Sequence, residues 1–193
     1  MTMNEVSSLY KIRDSALSSG RAVYNTSQLA HLINKDRNVA AVYLSRLVQK
    51  KLAIRLIRGK ISFVEDDFVI ASQLVEPSYI SLDSALLFHN VIQQVPRYIQ
   101  SVTPVNSITY HELGLEYHKI NPGLMFGFER HKVSGSYCFV ATREKALLDG
   151  YYLKLFTLDD VLELGRTSEY KKLRPLFLKF IGKGKKKMLE VFQ

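Results

Sequence analysis

Residues 25–64 read NTSQLAHLINKDRNVAAVYLSRLVQKKLAIRLIRGKISFV, and the way this stretch changes its period decides the first half of the fold. Asn25 stands where a helix would begin: its amide can accept from a free N–H of the first turn while Gln28 reaches back, and Leu29, Ala30, Leu32 and Ile33 supply an apolar stripe. That helix is expected to stop near Asn34. The polar turn Lys35-Asp36-Arg37-Asn38 leads into another helix, Val39 to about Lys51, in which Ala40, Leu44, Leu47, Val48 and Lys51 fall on one side. Leu52–Arg58, then Gly59-Lys60, then Ile61–Val64 alternate like two strands joined by a tight turn. Upstream, residues 5–19 form a helix ended by Gly20, and Arg21–Tyr24 is a short extended piece. Three helices, a short strand and a hairpin with a basic tip, in this order, predict a winged helix-turn-helix domain over residues 1–75.

After Glu76-Pro77 the pattern changes, which places a second domain at residues 76–193. Residues 78–92 are expected to be one amphipathic helix capped around Ser81, followed by a strand at Arg97–Thr103. Ser107–His111, Leu115–Ile120, Leu124–Glu129 and Ser136–Val140 alternate between turn residues and predict a small, largely antiparallel sheet. Thr142 offers a cap for a helix reaching about Leu155, and Leu158–Leu164, Glu169–Ile181 and Lys186–Phe192 follow as further helices. The predicted class is α+β: an N-terminal winged helix, then a mixed domain with a small antiparallel sheet and C-terminal helices.

The formal charge of +9 is unevenly placed, with +5 in residues 1–75, −3 in 76–165 and +7 in 166–193. Two basic ends around a slightly acidic centre point to a polyanion as partner, and double-stranded DNA fits a helix-turn-helix. On the helix after the polar turn, the side opposite Ala40, Leu44 and Leu47 carries Asn38, Val42, Ser45, Arg46 and Gln49. Asn38 and Gln49 can bond adenine in bidentate fashion, Arg46 can read guanine or hold a phosphate, and Val42 can touch a thymine methyl. Lys35 and Arg37 in the turn join this set, Tyr43 is assigned to packing, and Arg55, Arg58 and Lys60 on the hairpin are cast as phosphate or minor-groove contacts. Lys179, Lys183, Lys185, Lys186 and Lys187 lie among Phe177, Phe180, Ile181, Met188 and Phe192, so the tail is amphipathic. It suits DNA phosphates or an acidic partner protein, and a membrane-surface helix less well.

Catalytic constellations are missing from this reading. His111 and His118 are seven apart, which suits neither a helical ligand pair nor one face of a strand. Gly182–Lys187 lacks the spacing of a phosphate-cradling loop. Asp66-Asp67 is expected to end the hairpin, and Asp159-Asp160 to open a helix, rather than to hold magnesium. No enzyme activity, cofactor or metal is therefore expected. Cys138 is the single cysteine, apolar runs are too short to span a bilayer, and the first residues lack the order of a signal peptide, so a soluble cytoplasmic protein is expected.

Three stretches carry a likeness beyond pattern: Arg37-Asn38 through Leu47–Lys51 to Arg58-Gly59-Lys60; Tyr79–Leu86 with Gln94-Val-Pro-Arg97 and Val102-Thr-Pro104; and Val140–Asp149. In these the chain resembles AbiEi-type antitoxins, the transcriptional regulators of type IV toxin–antitoxin systems. The resemblance implies an N-terminal DNA-binding domain and a C-terminal domain needed for antitoxicity. It also implies negative autoregulation, at its own operator, of an operon encoding a nucleotidyltransferase-like toxin. The rival expectation is a winged helix that docks on protein without sequence-specific DNA binding.

Overall fold

A computed structural model describes residues 3–165, with side chains from Ser8 onward, so the expectations for the basic tail lie outside the described residues. The chain divides into two compact units, one of residues up to Leu74 together with His131–Cys138, the other of Val75–Arg130 with Phe139 onward.

The first unit contains α1 (Met3–Ser18), β1 (Val23–Asn25), α2 (Thr26–Ile33), α3 (Arg37–Gln49), β2 (Ile54–Ile57), β3 (Lys60–Ser62) and α4 (Asp67–Leu74). The strands form an antiparallel sheet in the order β1-β3-β2, with Tyr24 opposite Ile61 and Arg55 opposite Ile61 on the other side. Leu9, Ile12 and Ala16 of α1, Leu29 of α2, Leu44 and Leu47 of α3, and Tyr24, Ile61 and Phe63 share one core. Tyr24 meets Phe63 edge to face at 5.6 Å between ring centroids.

Two expectations are corrected here. Asp66 does not end the hairpin but starts α4, where its Oδ1 accepts from Val69 N at 3.0 Å. Val69–Leu74 are all buried, and a helix buried on every side has no amphipathic period to betray it. The segment 131–138, assigned from sequence to the second domain, belongs to the first unit because Gln73 captures it. The buried Gln73 Oε1 accepts from Ala22 N and Val23 N at 3.0 and 3.1 Å, while Nε2 donates to Ser136 Oγ and Tyr137 O at 3.1 and 2.8 Å. Ser136 Oγ in turn donates to Gly20 O at 2.6 Å. Gln73→Leu would strand both buried N–H groups, so a loss of about 3 kcal/mol in urea unfolding is expected, with faster amide exchange at Ala22 and Val23. Unchanged exchange at those two amides would contradict this role.

The second unit contains β4 (Tyr79–Ile80), α5 (Leu82–Phe88), β5 (Ile99–Thr103), β6 (Ile108–Tyr110), β7 (Leu115–Lys119), α6 (Arg143–Tyr152) and α7 (Leu158–Gly165), together with the parts of β8 (Phe128–Val133) and β9 (Ser136–Ala141) outside residues 131–138. The fold class is α+β. Residues 78–92 are not one helix: Tyr79 and Ile80 are a strand, and the helix spans only Leu82–Phe88. Leu124 closes a 3-10 turn rather than opening a strand, which begins at Phe128. Nor is the sheet largely antiparallel. Its six strands run β6-β7-β5-β4-β9-β8, with β5 parallel to β7 and β4 parallel to β9. Alternation in the sequence exposes strands but not their neighbours, and β6 returns to pair with β7 on the side away from β5.

A fully buried charged network locks α6 to β4. Lys145 Nζ is bonded to Asp149 Oδ1, and Asp149 Oδ2 accepts from Tyr79 OH at 3.0 Å and Ser81 Oγ at 2.8 Å. The Lys145 ammonium sits 5.2 Å from the Tyr79 ring centroid and 5.1 Å from that of Phe126. Its stem packs closely on Gly127, where an added Cβ would lie 3.2 Å away and the φ of 72° disfavours any other residue. Ser81 stands at the N-cap of α5 as expected, but its hydroxyl serves Asp149 and makes no capping bond. Burial pushes the Asp149 carboxyl up and the Lys145 ammonium down, each opposed by the charge of the other. Among the described residues no helix is long and apolar enough to cross a membrane.

Candidate nucleic-acid interface

Helices α2 and α3 and the turn between them are fixed by caps at each joint. Asn25 Oδ1 accepts from Gln28 N, and Gln28 Oε1 accepts from Asn25 N, both at 2.8 Å, the reciprocal arrangement expected from the sequence. Asn34 ends α2 in the left-handed region, at φ 51°, with its N–H on the carbonyls of the last turn. Asp36 Oδ1 then accepts from Asn38 N at 2.8 Å and Val39 N at 2.9 Å, which neutralises the positive end of α3 with a carboxylate of the chain itself.

Ala40, Leu44 and Leu47 of α3 are buried, and spacings of four, three and four residues align Asn38, Val42, Ser45 and Gln49 on the opposite face. All four are exposed, and Val42, an apolar side chain, is 50% exposed. Arg46 lies to the flank of this stripe, half-buried and engaged in an interaction of its own. Lys35 and Arg37 are exposed in the turn and first residue of α3, and Tyr43 is half-buried beside the core.

On the hairpin, Arg55 of β2 and Arg58 in the turn are exposed. The turn needs Gly59, whose φ of 76° is strained for any other residue. Thr26, to which the sequence reading gave no part, holds this turn against α2: its N–H and hydroxyl both donate to Gly59 O, at 3.1 and 3.3 Å. Lys60 departs from expectation. Its ammonium donates to Leu74 O at 2.5 Å, at the carbonyl end of α4, where a cation complements the helix dipole. This gives Lys60 a structural partner on α4, a helix that the sequence did not reveal.

No protein-family signature matches the chain, and no curated protein matches it. Among solved structures it is similar to the crystal structure of the RV2827C protein from Mycobacterium tuberculosis, at 12% sequence identity and a TM-score of 0.53, over 88% of this chain and 70% of that one. At that identity the likeness is one of fold.

The histidines that drew attention in the sequence have different neighbours. His111 Nδ1 meets Tyr98 OH at 3.0 Å, and His118 Nε2 lies 3.4 Å from Glu116 Oε2 on the same strand. Among the described residues no three His, Cys, Asp or Glu side chains converge to hold a metal ion. Asp160 sits in the first turn of α7, as expected, where Thr157 N and Oγ1 both donate to Oδ2 at 2.7 Å and hold its carboxyl below the usual range.

Proposed function

We propose that the first unit is a winged helix that binds the operator of its own operon, and that the chain is a non-enzymatic repressor and antitoxin. The observation that carries the DNA-binding half is the outward stripe of α3. Asn38, Ser45 and Gln49 offer base-edge donors and acceptors around a half-exposed Val42, on a helix whose inner face is buried. The order α1, β1, α2, α3, β2, β3 with an antiparallel β1-β3-β2 sheet, and the exposed Arg55 and Arg58 beside it, support the same reading. The antitoxin half rests on the resemblance carried by Tyr79–Leu86 and Val140–Asp149, with a nucleotidyltransferase-like protein as the toxin to be counteracted. These two blocks meet through Tyr79, Ser81, Lys145 and Asp149, which gives the paired motif a shared physical basis.

Fluorescence anisotropy on a duplex from the chain's own promoter tests the first half. Affinity should fall steeply with salt and exceed that for a scrambled duplex. Asn38→Ala and Arg46→Ala should each cost about 1–3 kcal/mol on the operator and much less on the scrambled sequence. Equal wild-type affinity for both duplexes would refute base reading and favour the protein-docking alternative. Antitoxicity is best assayed in the full chain carrying Asn38→Ala and Gln49→Ala, by growth rescue during toxin expression. Truncation at Pro77 would cut residues 131–138 from the unit that holds them.

A further inference from the structure

Beside the base-reading stripe, the same unit carries a second basic feature. We propose that the cleft along α2 and its following turn is a phosphate-binding site for the nucleic-acid backbone, an inference that rests on the reading of α3 as the groove-entering helix. The cleft encloses about 300 Å³ and is lined by Ser27, Ala30, His31, Asn34, Lys35 and Arg37. Ser27, Ala30, His31 and Asn34 are spaced three, one and three residues apart and so form one face of α2 and its cap. None of the lining residues is acidic, and five of the six bring a hydroxyl, imidazole, amide, ammonium or guanidinium.

Local capping leaves these side chains available. Of the carbonyls in the last turn of α2, those of Ala30 and His31 are taken by backbone, with Asn34 N on His31 O at 3.2 Å and Lys35 N on Ala30 O at 3.1 Å. The first N–H groups of α3 are taken by Asp36, so an anion here must be held by side chains rather than by the helix end. Ser27, His31, Asn34, Lys35 and Arg37 are exposed. Ala30 is the one lining residue without a side-chain polar group. Such a set of donors without acceptor carboxylates suits a phosphodiester, whose charge is the same at every base pair. The cleft ends at Arg37, adjacent to Asn38, so a phosphate held there would set the register of the stripe. Its other end, Ser27, follows Thr26, which is tied to the hairpin turn next to Arg58.

The test compares the full-length protein with a Ser27→Ala/His31→Ala/Lys35→Gln variant, checked for an unchanged thermal melt, on operator and scrambled duplexes over a range of salt. The variant should lose affinity for both duplexes by the same factor, about tenfold at moderate salt, and its slope of log affinity against log salt should flatten by about 0.9 per lost contact. Ser27→Glu, which replaces the hydroxyl donor with a carboxylate that repels the phosphate, should also lower affinity for both duplexes. Unchanged affinity and slope in both variants, while Asn38→Ala/Gln49→Ala loses operator preference, would overturn the cleft and leave the base-reading assignment standing. Wild-type protein that binds all duplexes alike but loses affinity in the cleft variants would do the reverse. Failure of the wild type to bind any duplex would overturn both. Saturation by micromolar inorganic phosphate, followed by NMR at the His31 ring, with no effect of the variants on duplex binding would make this a small-anion site and also defeat the proposal.

Discussion

Asp149→Ala is expected to destabilise the protein by about 3–5 kcal/mol in urea unfolding, because it leaves the Lys145 ammonium buried without its partner. Both side chains are 0% exposed, so water cannot replace the lost charge, and Tyr79 OH and Ser81 Oγ lose their acceptor in the same step. The pH dependence separates this cause from simple loss of volume. Burial already lowers the Lys145 pKa, and Asp149 is what opposes that shift, so in Asp149→Ala the folded-state pKa falls further below the unfolded value. A folded pKa depressed in this way gives stability that is present above the unfolded pKa and lost as pH falls, so the deficit should shrink between about pH 7 and pH 10. Lys145→Met should behave in the opposite sense. Burial raises the Asp149 pKa, and removing Lys145 raises it more, so stability is retained at low pH and lost as pH rises through the folded value. Lys145→Met/Asp149→Asn removes both charges while keeping an acceptor for Tyr79 and Ser81, and it should be less destabilised than either Asp149→Ala or Lys145→Met. Singles with no pH dependence, or a double as unstable as the sum, would show that the network acts through packing alone.

That network also marks where sequence reading stopped. Tyr79–Leu86 and Val140–Asp149 stood out as motifs, yet their residues read as an ordinary amphipathic helix and a capped helix. Lys145 and Asp149 are four apart, a spacing usually found on a solvated face, and nothing local reveals that this face is the interior. Where a segment's own period decides its structure, the sequence was sufficient: the Asn25–Gln28 cap, the turn at Asn34, α3 with its buried Ala40, Leu44 and Leu47, and the hairpin around Gly59 all lie within a few residues of expectation. Where the partner is distant, it was not. The parallel pairing of β5 with β7, the docking of residues 131–138 by Gln73, and the withdrawal of Lys60 to Leu74 each depend on a contact across more than ten residues. The exposed members of the candidate interface were legible because exposure follows from helical phase; the cleft along α2 was not, because its residues gain meaning only from the concavity they share.

Leu47→Ala should separate the two faces of α3 most sharply. Leu47 is 0% exposed and belongs to the same core as Leu9, Leu29 and Phe63, so its truncation opens a cavity under the last turn of the helix. A loss of about 2–5 kcal/mol is expected, the range depending on how far the surrounding core can collapse. Val42→Ala, one turn away on the outer face and 50% exposed, should change stability by no more than about 0.5 kcal/mol. On operator DNA the order should reverse. Measured at low temperature, where both variants are folded, Val42→Ala should reduce operator affinity through its lost contact, whereas Leu47→Ala should bind nearly as wild type until its earlier unfolding transition sets in. The outer stripe is carried by a rigid helix, so its groups keep their relative positions as long as α3 remains seated, and the core substitution acts by shrinking the folded fraction rather than by altering the surface. Operator affinity that falls in Leu47→Ala well below its melting transition, with Val42→Ala unaffected, would place the DNA contact elsewhere than on the outward face of α3.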